Sequence, residues 1–175
     1  MSQKLEQERK WLVEPPTSWI QFGELLDHVV DVKRISQTYL KAEDGKQAAR
    51  VRKTLSGLVG DTEVEYHFNR KKPVETGVHQ EEEHEISGKE YQNNLKKADP
   101  EKCAIEKTRF VFKWHDQEFE LDLFKGHLKG LAILELEMDD IDSKIELPSF
   151  LKIKKEITKD KRWTNFALAD KRLKE

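Results

Sequence analysis

Residues 131–138 read LAILELEM, and their alternation decides the fold class. Ala132, Leu134, Leu136 and Met138 fall on one side of an extended chain, which is wholly apolar, while Leu131, Ile133, Glu135 and Glu137 fall on the other. Side chains of a strand alternate with period 2, whereas a helix groups them every 3.6 residues. The stretch is therefore expected to be an amphipathic strand that carries two glutamates on one face.

The same period recurs on both sides. In FELDLF, Phe119, Leu121 and Leu123 oppose Glu120, Asp122 and Phe124; in KTRFVFKW, Phe110, Phe112 and Trp114 oppose Lys107, Arg109 and Lys113. Upstream, Ala49, Val51 and Leu55 oppose Arg50 and Arg52. Residues 66–71 and 81–86 form weaker strands by this test, and residues 5–13 gain strand character from the bulky run Trp11-Leu12-Val13. Helical pattern is confined to residues 17–32 after Pro15-Pro16, residues 89–97 before Pro100, and a C-terminal piece from about Thr164. Connections are expected around Gly45, over residues 57–61 and over residues 72–77, and no linker or internal repeat divides the chain. The class is mainly β (α+β), with a few peripheral helices and one domain spanning residues 1–175.

Charge is abundant and balanced: 38% of the 175 residues are charged, yet 32 basic against 34 acidic side chains leave a net charge of only -2. That balance speaks against a nucleic-acid backbone footprint. The single Cys103 excludes an internal disulfide framework and a cysteine-rich zinc site, and suggests a reducing compartment. The opening MSQKLEQERKW has no apolar signal core and no run approaches the length of a membrane span, so a soluble, cytoplasmic protein is expected. Composition does not indicate an oligomeric state.

Antiparallel sheets commonly keep one wet face, so a single charged strand face requires nothing beyond solvent exposure. The sorting of the charges asks for more. Residues 135 and 137 are both acids, residues 50 and 52 are both bases, and Glu6, Glu8 and Lys10 mix the two. Carboxylates two residues apart on a strand point the same way and suit a hard divalent cation such as Mg²⁺ or Mn²⁺. Rows of arginine and lysine offer forks and point charges to phosphate oxygens. Acids and bases converging on one interior would therefore point to a metal-bound polyphosphate. The six histidines show no compact ligand spacing apart from His79 and His84, five apart, and Trp11, Trp19 and Trp114 are expected to pack rather than stack on bases.

Glu6-Gln7-Glu8-Arg9-Lys10 followed by Trp11-Leu12-Val13 resembles the E-x-E-x-K opening of the CYTH, or triphosphate tunnel metalloenzyme, superfamily. The order of later elements is similar to that of bacterial tripolyphosphatase-like members: Arg50-Val51-Arg52, the strand ending at Lys71, Glu83-His84-Glu85-Ile86, Lys107-Thr108-Arg109, Glu120-Leu121-Asp122, Glu135-Leu136-Glu137 and Asp160-Lys161-Arg162-Trp163. Asn69 stands where a threonine is usual.

The resemblance covers essentially the whole chain and implies a closed eight-stranded antiparallel β-barrel tunnel, a divalent metal and a triphosphate substrate. It assigns Glu6, Glu8, Glu135 and Glu137 to the metal, and Lys10, Arg50, Arg52, Lys71, Arg109 and Lys161 to the triphosphate. Glu83, Glu85 and Asp122 would hold a second metal or orient the attacking water. Hydrolysis of tripolyphosphate or a small organic triphosphate is the expected reaction. The same tunnel serves class IV adenylyl cyclases and thiamine triphosphatases, and a non-catalytic polyphosphate-binding module is the alternative from another class. The carboxylate pairs favour an enzyme.

Overall fold

The computed structural model describes residues 7–43, 48–58, 62–75, 78–138 and 143–174, without the side chains of residues 71–75, 78–80 and 174. Among these the strands are β1 (Gln7–Val13), β2 (Val29–Tyr39), β3 (Ala49–Ser56), β4 (Glu63–Glu75), β5 (Val78–Glu85), β6 (Ile105–Trp114), β7 (Gln117–Phe124), β8 (Ala132–Met138) and β9 (Ile153–Glu156). The helices are α1 (Trp19–His28), α2 (Gly88–Leu95) and the single turn α3 (Asn165–Leu168). The strands form one sheet in the order β5-β4-β3-β2-β6-β7-β8-β1-β9. The pairs β1–β8, β1–β9, β3–β4, β4–β5, β6–β7 and β7–β8 are antiparallel. The architecture is thus β-rich α+β. It differs from the expected eight strands by β9, and hydrogen bonds among the described residues leave β5 and β9 as the ends of the order.

The chain packs as two compact units, one of residues 1–33 and 107–163 and one of residues 34–106 and 164–175. In the first, the apolar faces of β1, β6, β7 and β8 bury Trp11, Phe112, Phe119, Leu121 and Leu134 together with Leu25 of α1. Phe112 and Phe119 stack at 5.6 Å between centroids. α1 is held at its start by a capping box, in which Ser18 accepts from the Gln21 amide and the Gln21 side chain accepts from the Ser18 amide. In the second unit, Leu40, Ala49, Val51, Ile86 and Tyr91 form the core, and the Ser87–Glu90 capping box starts α2 over it. Burial of one face of each strand fixes its register, because a slip of one residue would exchange the two faces.

The link between β6 and β7 is a two-residue turn at His115 and Asp116, with φ of 48° and 60°. Positive φ at both positions matches the twist of a hairpin. Closing there sets Trp114 opposite Gln117 and, five pairs further on, Arg109 opposite Asp122.

Several expectations are corrected. The helix expected over residues 17–32 stops at His28, because Val29, Val30 and Val32 are β-branched and the chain turns extended at Val29 (φ -65°, ψ 132°) to begin β2. β9 was not anticipated; its IKKE sequence lacks alternation and its strand form comes from pairing with β1. Residues 72–75 belong to β4 rather than to a connection, while Gly45, Gly77 and residues 59–61 lie outside the described residues. Trp19, expected to pack, is 93% exposed on α1, whereas Trp11 is buried. No helix among the described residues is long and apolar enough to cross a membrane.

Candidate functional site

Across four strands of the first unit the register assembles one ionic face. β1 meets β8 with Glu8 opposite Glu137 and Lys10 opposite Glu135. β7 places Glu120 opposite that same Glu135, and β6 places Arg109 opposite Asp122. Because alternate residues share a face, Glu8 and Lys10, Glu135 and Glu137, Glu120 and Asp122, and Lys107 and Arg109 stand together on the side away from the apolar core.

Within this face Lys10 stands between two carboxylates, its Nζ 3.1 Å from Glu8 Oε1 and 3.5 Å from Glu135 Oε1. Burial works against its charge, but Glu135 and then Glu8 outweigh it, and the pKa is raised. The strand is pinned there by the Lys10 amide, which donates to Thr158 Oγ1 at 3.1 Å.

Arg109 reads three carboxylates at once. Its Nε and Nη2 donate to Asp122 at 2.7 and 2.9 Å, its Nη1 reaches Glu120, and Nη2 lies 3.6 Å from Glu135. Lys107 Nζ adds a bond of 2.7 Å to Asp122 Oδ2. Asp122 is 1% exposed. Although burial pushes its carboxyl upward, Lys107 and Arg109 overcome that and hold it low, at about 2. Burial depresses the Lys107 pKa, with Asp122 opposing and Arg109 assisting the depression. Glu120 moves the other way: burial raises its pKa, Arg109 counters, and Glu135, Asp122 and Glu137 raise it further.

The donors of this face are carboxylate oxygens, without sulfur or imidazole, as a hard cation requires. Glu8 facing Glu137 places like charges directly across a ladder, an arrangement that a bridging cation relieves. The donor set therefore fits Mg²⁺ or Mn²⁺. Glu6 lies outside the described residues. Among the described residues no three His, Cys, Asp or Glu side chains already converge as a closed metal cluster; Lys10 holds Glu8 and Glu135 at its own position instead.

The second unit carries the other group of expected residues. Arg50 stands opposite Asn69 and Arg52 opposite His67 across β3 and β4, and β5 continues the rows with Glu83 opposite Asn69 and Glu85 opposite His67. The backbone of Lys71 stands opposite Glu81. The buried Nε of Arg50 has no hydrogen-bond acceptor among the described residues. Glu83 and Glu85 are exposed. Asn69 Nδ2 donates to Glu81 at 2.6 Å, and Arg50 Nη2 lies 3.7 Å from it. Lys161, expected to bind the triphosphate, opens a 3-10 turn, Lys161–Trp163, and is exposed.

Three participants escaped the sequence reading of the site: Lys107, Glu120 and Glu81. Each shares strand parity with a chosen residue, respectively Arg109, Asp122 and Glu83, and that parity was the available signal.

No family model matches the chain. Over 69 residues, 37% of this chain, it is 45% identical to an inorganic triphosphatase of Nitrosomonas europaea, and over 65 residues 37% identical to an inorganic triphosphatase of Acetivibrio thermocellus. These matches span 44% and 40% of the two relatives' lengths, less than half of each. The solved structure of the inorganic triphosphatase NE1496 superposes with a TM-score of 0.60, covering 94% of this chain and 93% of that one at 28% identity. The chain is similar to inorganic triphosphatases. That likeness extends over the strands of both units, since the superposition takes in nearly all of the chain.

Proposed function

We propose that this chain hydrolyses the terminal phosphoanhydride of inorganic tripolyphosphate or a small organic triphosphate. The observation that carries the reading is the β1–β8 ladder, where Lys10 lies between Glu8 and Glu135 and Glu8 faces Glu137. Interleaved acids and bases on one face suit a metal-bound polyphosphate better than either charge alone. The similarity to inorganic triphosphatases and the buried Arg50 Nε, which has no acceptor among the described residues, support the same reading.

In this proposal residues 1–175 form a single cytoplasmic domain whose sheet closes into the antiparallel tunnel that the resemblance implies. Glu6, Glu8, Glu135 and Glu137 hold Mg²⁺ or Mn²⁺, which when bound neutralises phosphate charge and polarises the scissile phosphoryl group. Lys10, Arg50, Arg52, Lys71, Arg109 and Lys161 bind phosphate oxygens and offset charge growing on the leaving phosphate. Glu83 and Glu85 orient water or support a second cation. Asp122 acts differently: both its oxygens are committed to Lys107 and Arg109, so it positions the Arg109 guanidinium rather than meeting water.

Product analysis tests the reaction. Tripolyphosphate, pyrophosphate, ATP and thiamine triphosphate are incubated separately with Mg²⁺, Mn²⁺ or EDTA and resolved by ³¹P NMR. Orthophosphate and pyrophosphate appearing from tripolyphosphate with metal alone is the expected result. Cyclic AMP formed from ATP faster than phosphate is released would overturn hydrolysis in favour of cyclisation.

A further inference from the structure

Arg50 and Arg109 are both half of an arginine–carboxylate pair, yet they are satisfied to different degrees. Arg109 closes a fork on Asp122 with contacts of 2.7 and 2.9 Å. Arg50 meets Glu81 through one nitrogen at 3.7 Å, and its buried Nε finds no acceptor among the described residues. A guanidinium prefers two short parallel bonds to an oxyanion. Glu81 is thus a poor partner for Arg50.

What holds Glu81 there is the amide of Asn69, 5% exposed, which donates to Glu81 Oε1 at 2.6 Å. Asn69 lies opposite Arg50 in the β3–β4 register, so amide and guanidinium converge on the same oxygen. One anionic oxygen bound by an amide and faced by a guanidinium has the chemistry of a phosphate oxygen in a binding site. The Glu81 side chain is 52% exposed, so it can leave for water without being buried elsewhere.

Resting on the triphosphate reading above, we propose that Glu81 is a resident competitor, a carboxylate that Asn69 lends to Arg50 and that a polyphosphate must displace. It sets the affinity of this site without taking part in the reaction. An incoming phosphoryl group offers two oxygens in the plane of the fork and reaches the Nε that Glu81 leaves unbonded. Removing the Glu81 charge abolishes the competition and also the repulsion between a carboxylate and a multiply charged ligand.

The test is calorimetric titration of tripolyphosphate into the full chain in EDTA, comparing the unchanged chain, Glu81→Gln, Arg50→Ala and the double variant. Glu81→Gln keeps the size of the side chain and an oxygen for Asn69. It is expected to bind about two- to tenfold more tightly, as fits a half-exposed ion pair removed. KM in the metal-loaded enzyme falls in step while kcat is unchanged, and in the Arg50→Ala background the substitution has no effect. Equal or weaker binding by Glu81→Gln, with the unchanged chain binding normally, overturns the competitor role alone. Absence of binding by all four chains, both in EDTA and with Mn²⁺ supplied, overturns the triphosphate reading and this inference with it.

Discussion

Arg109 and Asp122 face each other across β6 and β7 and close a two-bond fork, Nε to Oδ1 at 2.7 Å and Nη2 to Oδ2 at 2.9 Å. With Asp122 almost wholly buried and Lys107 on its second oxygen, this fork is the structural centre of the ionic face. Asp122→Asn keeps the shape and removes the charge that both cations need. Breaking a buried ion pair by deleting one partner costs about 3–5 kcal/mol. Urea unfolding is expected to show a loss of that size, together with weakened triphosphate binding through a disordered Arg109.

Lys107→Met should cost far less. Burial already depresses the Lys107 pKa, and Asp122 keeps its fork to Arg109 when the lysine is gone. Breaking a buried pair is costly because it leaves an uncompensated charge, and here Arg109 still compensates Asp122 through two bonds. The same urea titration should show a smaller loss for this variant than for Asp122→Asn; a loss equal to that of Asp122→Asn would show that Lys107, not Arg109, is the main partner.

The pH dependence follows from the low Asp122 pKa. A carboxyl whose folded value lies below its unfolded one adds stability above the unfolded pKa of about 3.9 and loses it as pH falls through the folded value. That folded value is about 2. The stability difference between the unchanged chain and Asp122→Asn is therefore expected to be full at neutral pH and to shrink between about pH 4 and pH 2. Denaturant melts across that range read it directly.

Glu8 and Glu137 stand opposite each other, and like charges so placed destabilise a ladder by a few tenths of a kcal/mol to about 1 kcal/mol. Glu137→Gln relieves this in the metal-free chain while removing one proposed metal donor. Differential scanning fluorimetry should find a Tm equal to or above that of the unchanged chain in EDTA, and a smaller rise in Tm on adding MnCl₂.

The elements legible in the sequence were those whose period is local. β6, β7 and β8 alternate so regularly that their buried faces, Phe112, Phe119 and Leu134 among them, could be named without knowing any neighbour. β2 was hidden because α1 runs into it without a loop, so Val29, Val30 and Val32 extend a helical pattern in sequence while being extended in space. β9 was hidden because its strand form depends on β1, 140 or so residues distant along the chain, rather than on its own residues.

For the candidate site, parity placed Glu135 with Glu137 and Arg50 with Arg52, but which side chains touch is a property of register between strands. That is why Lys107 and Glu120 were passed over, and why Glu81 rather than Glu83 reaches Asn69 and Arg50: the β4–β5 register puts Glu81 opposite Lys71, diagonal to Asn69. The burial of Asp122 likewise came from its cross-strand partners, which turn a candidate for water activation into an anchor for Arg109.

The central claim, that the β1–β8 face performs metal-dependent triphosphate hydrolysis, is tested most directly by steady-state orthophosphate release from tripolyphosphate with Mn²⁺, comparing the unchanged chain with Glu8→Gln/Glu135→Gln. The account predicts metal-dependent turnover that falls at least about 100-fold in the double variant, with the fold retained by circular dichroism. Turnover at the rate of the unchanged chain in the double variant would contradict it.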